Sequence, residues 1–178
     1  MADYRRLRLA GRSYFLTVCL AARGGTLLWD RVDALRASYA AMARDHPVRC
    51  DAIAVLPDHL HVVWTLPEGD DDFPERVRLL KHRFTRAVPG GAPRASHRAK
   101  RERGIWQRRY WGERRPGAAP VGRVCRERAK PGPAQRGCIR DEAEWTAAVR
   151  YVWENPVKHG FVARPEDWPH SSAVGMRR

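Results

Sequence analysis

The feature that most constrains the fold is a pair of short apolar segments separated by a Pro-Asp turn. The segments are residues 50–56 and 59–66, and Pro57 and Asp58 lie between them. Two short strands joined by a tight turn predict an antiparallel hairpin. The sequence therefore predicts a rigid two-stranded scaffold in this part of the chain.

Two histidines lie two residues apart on the second predicted strand. Because successive side chains of a strand point to opposite faces, His59 and His61 should share one face. The residues expected on the other face are Leu60, Val62 and Trp64. Two neutral imidazoles with room for a third ligand suit a divalent cation. The same spacing also fits a half-buried strand whose histidines are only hydrogen-bonded, so the spacing alone specifies little.

The remaining patterns complete an α+β fold. β-Branched and aromatic residues predict a first strand at 13–20, and apolar spacing predicts a helix from Asp30 to before Pro47. Asp72 and Glu75 form a predicted capping pair at the start of a second helix. The order strand, helix, strand, strand, helix predicts a ferredoxin-like (RRM-like) antiparallel sheet with helices on one face.

A third helix is predicted after residues 112–138. Asp141 and Glu144 form its capping pair, and we expect it to end near Pro156. Its apolar stripe consists of Trp145, Ala148, Val149 and Val152. Tyr151 lies at the edge of this stripe, with Asn155 one turn further on nearly the same bearing. If the helix docks on the histidine face, a phenol and an amide join the imidazoles, although Tyr151 also fits a packing role and Asn155 could lie past the last helical turn.

The composition indicates a polyanionic partner. The chain has 178 residues, a mass of 20.4 kDa, a formal net charge of +14 and a pI near 10.7, which fit one basic domain over 1–178. Arginine binds phosphate bidentately and stacks on bases, so nucleic acid is expected before a membrane surface. A GC-rich genome would also favour arginine codons, whatever the function.

Other sequence features narrow the class of protein. The four cysteines are scattered without a Cys-x-x-Cys pair, which predicts neither a zinc knuckle nor a disulfide framework. No apolar run of membrane-spanning length occurs, so a soluble, cytoplasmic (nucleoid-associated) protein is expected.

Two segments are predicted to carry nucleic-acid contacts. The polar face of the second helix carries Arg76, Arg78, Lys81, Arg83 and Arg86. Such a face is either simply solvated or in contact with phosphates. In residues 104–111, aromatic side chains including Trp106 alternate with arginines, as suits single-stranded nucleic acid. Packing of the tryptophan in the core is equally consistent with that pattern.

Two further segments have the composition of linkers. Residues 89–103 form a Pro/Gly/Arg-rich basic connector. Residues 112–138 have almost no large apolar side chain, so we expect a disordered insertion or the product of a shifted reading frame.

Several blocks, taken in order, give the chain a family resemblance. They are Asp3-Tyr4-Arg5-Arg6, Tyr14-Phe15-Leu16-Thr17-Val18, Leu56-Pro57-Asp58-His59-Leu60-His61, Trp64-Thr65-Leu66-Pro67-Glu68-Gly69-Asp70-Asp71-Asp72-Phe73, Ile105-Trp106-Gln107-Arg108-Arg109-Tyr110-Trp111, Tyr151 with Asn155-Pro156-Val157-Lys158-His159-Gly160, and Asp167-Trp168-Pro169-His170-Ser171-Ser172. The chain resembles the REP-associated tyrosine transposases, relatives of the single-tyrosine HUH transposases of insertion sequences. The segment 112–138 falls outside the resemblance.

The resemblance implies specific roles. His59 and His61 would be the HUH pair, Asn155 the third ligand of a Mg²⁺ or Mn²⁺ ion, and Tyr151 the nucleophile, with Tyr110 as the competing tyrosine. The residues expected to contact nucleic acid are Arg5, Arg6, Arg78, Lys81, Trp106, Arg108, Arg109 and Lys158.

The resemblance also implies a reaction and a partner. The substrate would be single-stranded DNA folded into imperfect hairpins, cut through a covalent 5′-phosphotyrosine intermediate by a monomer or homodimer. Two departures from the family pattern, Gly112-Glu113 after Trp111 and Arg150 before the tyrosine, keep open a second interpretation. In that interpretation the chain is a catalytically inactive descendant that binds hairpin DNA. A two-histidine phosphoesterase is disfavoured, because the chain lacks paired His-x-Thr/Ser motifs.

Overall fold

A three-stranded antiparallel sheet organises the protein, seen in a computed structural model. The residues that the structure describes are 10–22, 24–89, 103–107 and 138–176. The strands are β1 (Ser13–Cys19), β2 (Arg49–Val55) and β3 (His59–Thr65), and the order across the sheet is β1-β3-β2. β3 pairs antiparallel with both neighbours, as the predicted hairpin and split β-α-β unit require.

Four helices accompany the sheet in the described part of the chain. They are α1 (Leu27–Asp30), α2 (Val32–Asp45), α3 (Phe73–Ala87) and α4 (Glu142–Lys158), followed by short 3₁₀ turns at Pro165–Asp167 and Ser172–Met176. The predicted α+β class is confirmed. None of the helices in the described ranges is long and apolar enough to cross a bilayer.

Helices cover both faces of the sheet. The α2 and α3 side holds the larger core, which includes Leu60, Val62 and Trp64 of β3. The Trp64 indole N–H donates to the Tyr39 hydroxyl of α2 at 3.1 Å. On the other face, α4 packs its apolar stripe against β1, β2 and β3, with Val152 fully buried. The alternation of β3 therefore separates an apolar face from the face that carries the histidines.

Arg76 does not lie on the solvated face of α3 where the sequence pattern placed it. Its side chain is 1% exposed, and its terminal nitrogens donate to both carboxylate oxygens of Asp70 and to the carbonyls of Pro47 and Asp72. Residue 76 borders the apolar row of α3, and the acidic loop before the helix supplies the counter-charge. A charged side chain is buried here because a carboxylate and two carbonyls are positioned to bind it.

Helix α4 ends at Lys158, two residues past Pro156, so it passes through the proline near which it was predicted to end. Proline removes one intrahelical hydrogen bond, but Pro156 is buried and the helix closes beyond it. The Gly160 N–H donates to the Val157 carbonyl and the Phe161 N–H to the Pro156 carbonyl, with Gly160 at φ 73°. These two hydrogen bonds form a Schellman motif with Gly160 at its left-handed position, and the motif keeps Asn155 inside the helix.

Short bridges cover both outer edges of the sheet. β1 is bridged to Trp106 at one end, through Leu20, and to Cys138 at the other, through Tyr14. On β2, Ala54 is bridged to Ser171. Most of the predicted connector and insertion lies outside the described residues. The ends that are described are ordered by contacts, since Arg103 donates to the Val88 carbonyl at 2.8 Å and Cys138 is buried.

Candidate active site

His59 and His61 lie side by side on the α4 face of β3. Their ring centroids are 4.9 Å apart at an interplanar angle of 83°, and both side chains are buried. The strand alternation that predicted a shared face also accounts for this placement, because β3 is regular from His59 to Thr65.

Each imidazole is held through its Nδ1 atom. Thr17 Oγ1 lies 2.8 Å from Nδ1 of His61, and Asp58 Oδ1 lies 2.6 Å from Nδ1 of His59. The other carboxylate oxygen of Asp58 accepts the Gly24 N–H at 2.9 Å, which fixes the carboxylate itself. With Nδ1 engaged, Nε2 is the nitrogen of each ring that remains for a ligand.

Thr17 and Asp58 are site residues that the sequence did not single out. Asp58 carried a signal, because a carboxylate directly before a histidine at a turn can reach its ring. Thr17 carried none, since its contact depends on the register that pairs Thr17 with His61 across β1 and β3.

Burial keeps His61 neutral. Desolvation lowers its pKa well below 6.5, and electrostatic interaction with His59, His159 and Lys158 lowers it further. Asn155 acts in the opposite direction, since its amide lies near the His61 ring, although no hydrogen bond of good geometry joins the two. A neutral imidazole is the form that binds a metal ion.

Tyr151 reaches the histidine face from α4. Its ring centroid lies 5.4 Å from that of His61 and 5.5 Å from that of Phe15, both edge-on. Lys158, two turns further along α4, places its ammonium 4.6 Å from the centroid of the tyrosine ring. The phenol is thus held between a buried imidazole and a cation, and its side chain is half-buried.

Asn155 is a fully buried amide beside the imidazoles. It is 0% exposed, and among the described residues neither its Oδ1 nor its Nδ2 has a hydrogen-bond partner. Such a group costs folding free energy unless something binds it. No cluster of three or more His, Cys, Asp or Glu in the described ranges has the arrangement of a metal site. The side chains that could hold a divalent cation here are the two imidazoles and the amide oxygen of Asn155.

His159 is a further site residue that the sequence reasoning left without a role. Its ring lies 5.6 Å from that of His59, just past the end of α4. Its position one helical turn after Asn155 is the signal that could have identified it.

The residues predicted to contact DNA differ in their surroundings. Arg78 is paired with Glu75, and Lys158 lies 3.4 Å from Glu154. Trp106 is buried against Phe84 at 5.3 Å, with its indole N–H donating to the backbone of α3, so its placement favours the packing alternative.

Of the other residues predicted to contact DNA, only Lys81 lies within the described ranges. Lys81 donates to the Gln107 carbonyl at 2.9 Å. The residues that lie outside the described ranges are Arg5, Arg6, Arg108, Arg109 and Tyr110.

Two curated proteins that are similar to this chain carry the same family name. The chain is 35% identical over 174 residues to a putative REP-associated tyrosine transposase of Haemophilus influenzae, covering 97% of this chain and 85% of that protein. It is 36% identical over 172 residues to a REP-associated tyrosine transposase of Escherichia coli, covering 97% and 82% respectively.

A solved structure agrees with the sequence relatives. A REP-associated tyrosine transposase bound to a REP hairpin matches with a TM-score of 0.70 and 34% identity, over 97% of this chain and 82% of that one. No family model matches the chain. Identity at this level over nearly the whole length, together with the shared fold, shows that the chain belongs to the REP-associated tyrosine transposase family.

Proposed function

We propose that the protein is a metal-dependent single-stranded DNA endonuclease and strand transferase that acts on hairpin DNA through a covalent 5′-phosphotyrosine intermediate. The observation that carries the proposal is the Tyr151 ring, 5.4 Å from the ring of buried His61. A relative of the same family is bound to a REP hairpin, and the net charge of +14 suits a nucleic-acid partner. Hairpin DNA is therefore the proposed substrate.

His59, His61 and Asn155 would hold a Mg²⁺ or Mn²⁺ ion in this proposal. The ion would supply positive charge that offsets negative charge developing on the phosphate and the leaving oxygen. Thr17 and Asp58 would fix the orientation of the imidazoles, so that both rings present Nε2 without rearrangement.

Tyr151 would act as the nucleophile. Its phenolic oxygen attacks the phosphorus, the bond from phosphorus to the 3′ oxygen breaks, and the products are a 5′-phosphotyrosine link and a free 3′-OH. The phenol loses its proton in this step, and the leaving oxygen gains one. Lys158 beside the ring would attract the phosphate and favour the negatively charged phenol oxygen. Because the link to tyrosine retains an activated phosphodiester, a second 3′-OH can displace it and rejoin the strand.

The test is a denaturing gel of protein incubated with a labelled REP hairpin oligonucleotide and Mn²⁺. The unmodified protein should give a protein–DNA band that survives denaturation, and Tyr151→Phe should give none. Tyr110→Phe is the matched control, which changes the competing tyrosine in the same way and should retain the band. His61→Ala, or chelation of the metal, should remove it.

The gel also separates the alternatives. A band lost in Tyr110→Phe and kept in Tyr151→Phe would overturn the assignment of the nucleophile. Salt-dependent hairpin binding without a band in the unmodified protein would overturn the enzymatic proposal and leave an inactive hairpin-binding descendant.

A further inference from the structure

Two exposed aromatic rings meet beside the candidate active site. In the described ranges only three large apolar side chains are exposed, namely Trp29, Phe161 and Val174. Trp29 is 38% exposed and Phe161 is 40% exposed, and their ring centroids lie 6.1 Å apart although they are far apart in the sequence. Single exposed apolar residues are normal on a protein surface, whereas contiguous exposed apolar surface is a feature of binding sites.

The exposed pair is continuous with the histidine site. The His159 ring lies 5.6 Å from that of His59 and stacks on Phe161 with centroids 6.0 Å apart and planes 27° apart. Phe161 in turn contacts Trp29. A row of rings therefore leads from the imidazole pair to the protein surface.

The rings of this surface are held firmly. Phe161 follows Gly160, whose left-handed backbone turns the chain back so that the Phe161 N–H bonds the Pro156 carbonyl at 3.0 Å. Beneath both rings lies Trp168, which is buried and whose indole N–H donates to the Val55 carbonyl at 2.9 Å. Phe161 stacks on Trp168 at 5.1 Å, and Trp29 lies 5.2 Å from it. A preorganised aromatic surface loses little side-chain entropy on binding.

We propose that Trp29 and Phe161 form a stacking platform for an unpaired DNA base that flanks the phosphate cut at Tyr151. The inference rests on the proposed function, because the ligand is taken to be the DNA strand that the adjacent site would cut. A base offers the flat apolar surface that such rings bind, and stacking of this kind is tolerant of sequence. The strand also carries the negative charge that the basic protein and the nearby Lys158 attract. The platform would fix the single strand beside the hairpin, whereas the histidine site acts on its backbone.

The test measures binding to a REP hairpin that carries single-stranded flanks. All measurements use Tyr151→Phe protein, so that no covalent product forms. An abasic residue is moved along each flank in turn, and we expect one or two positions to weaken binding about five- to tenfold, the lower part of the range for loss of one base–aromatic stack.

Phe161→Leu and Trp29→Leu keep an apolar side chain but remove the flat ring. Each should weaken binding to the intact flank by a similar factor and abolish the effect of the abasic position. Val174→Ala, which changes the third exposed apolar side chain, should do neither.

The outcomes distinguish this inference from the proposed function. Loss of the abasic effect in the leucine variants, with binding of the unflanked hairpin unchanged, supports the platform. No abasic effect at any position in protein with unaltered rings overturns it, even if neither leucine variant folds. An abasic effect that persists in both folded leucine variants also overturns it. The covalent band of the unmodified protein is a separate readout, so the platform can fail while the nuclease stands, and the reverse.

Discussion

The two faces of β3 handle buried polar groups in opposite ways. On the α2 and α3 side the strand contributes Leu60, Val62 and Trp64, and the buried charge nearby, Arg76, is bound by Asp70 and two carbonyls. On the α4 side the strand contributes His59 and His61, and the amide of Asn155 beside them has no hydrogen-bond partner among the described residues. On the first face the terminal nitrogens of Arg76 are bound within the protein, while its Nε has no partner among the described residues. The other leaves donor atoms for a ligand.

This contrast explains why the two faces should respond differently to substitution. A buried charge that loses its partner is strongly destabilising, because the remaining ion has neither water nor counter-charge. A buried amide that already lacks partners costs free energy in the folded protein, so its replacement by an apolar group relieves that cost. Substitutions on the first face should therefore lower stability, and substitutions on the second should lower activity.

The largest expected effect is on the α3 side. Asp70→Ala leaves the buried Arg76 guanidinium with carbonyl partners only, and should lower the free energy of unfolding by about 3–5 kcal/mol. Urea denaturation measures this. Asp45→Ala is the matched control, since it removes an exposed carboxylate paired with Arg83 and should lower the free energy of unfolding far less. Equal losses in the two variants would show that Arg76 is not effectively buried in solution.

Asn155→Leu should move stability the other way. The leucine side chain has the same branched arrangement of heavy atoms and lacks the two unpaired amide atoms, so the free energy of unfolding should rise by about 1–3 kcal/mol while the Mn²⁺-dependent covalent band disappears. Val152→Ala, one turn earlier in α4, is the comparison for packing and should destabilise the protein. A destabilised Asn155→Leu variant would mean that the amide is hydrogen-bonded in solution, and would weaken the contrast between the faces.

Much of the fold was predictable because local patterns repeat over several residues. The alternation in β3, the Pro-Asp turn and the capping pairs all report short-range physics, and Asp72 and Asp141 do accept the N–H groups of Glu75 and Glu144. The extension of α4 past Pro156 was not predictable in this way, since it depends on burial of the proline and on the closure at Gly160.

The candidate site was only partly predictable from the sequence. His59 and His61 follow from strand alternation, and Tyr151 with Asn155 follows from helical periodicity once α4 is assumed to dock on their face. The contact of Thr17 with His61 depends on strand register. The burial of Arg76 depends on where the 66–72 loop carries Asp70. Such contacts between segments distant in the chain are set by tertiary packing, which no local pattern encodes.

A smaller effect is expected at the end of α4, which holds the site and the aromatic platform together. Gly160 has φ 73°, and a β carbon added at this residue would meet no atom within 4 Å, so the demand at this position is conformational and not steric. Gly160→Ala should therefore cost about 1 kcal/mol of unfolding free energy. Thermal denaturation measures this, and Gly25→Ala, where the backbone is not left-handed, is the control that should change little. An equal or larger loss in Gly25→Ala would show that the cost at Gly160 does not arise from its left-handed backbone.

The smallest effect is the acid dependence of the contact between Asp70 and Arg76 on the α3 side. Hydrogen bonding to Arg76 lowers the pKa of Asp70 below its ordinary value of 3.8, with a further contribution from the Asp72 N–H. In acid the unfolded chain therefore takes up the proton before the folded protein does, so this contact stabilises fully above about pH 3.8 and is lost as the pH falls through the folded pKa. Asp70→Asn cannot titrate at this position. The difference in unfolding free energy between the unmodified protein and Asp70→Asn should be constant near neutrality and shrink in acid, as urea denaturation at a series of pH values would measure. Because the Asp70 side chain is about one-third exposed, solvent screens the pair and keeps this change well below the loss in Asp70→Ala. A difference that stays constant down to acid pH would mean that the ion pair is not formed. Arg76 would then lack a counter-charge, and the contrast with the unpaired Asn155 on the other face would be lost.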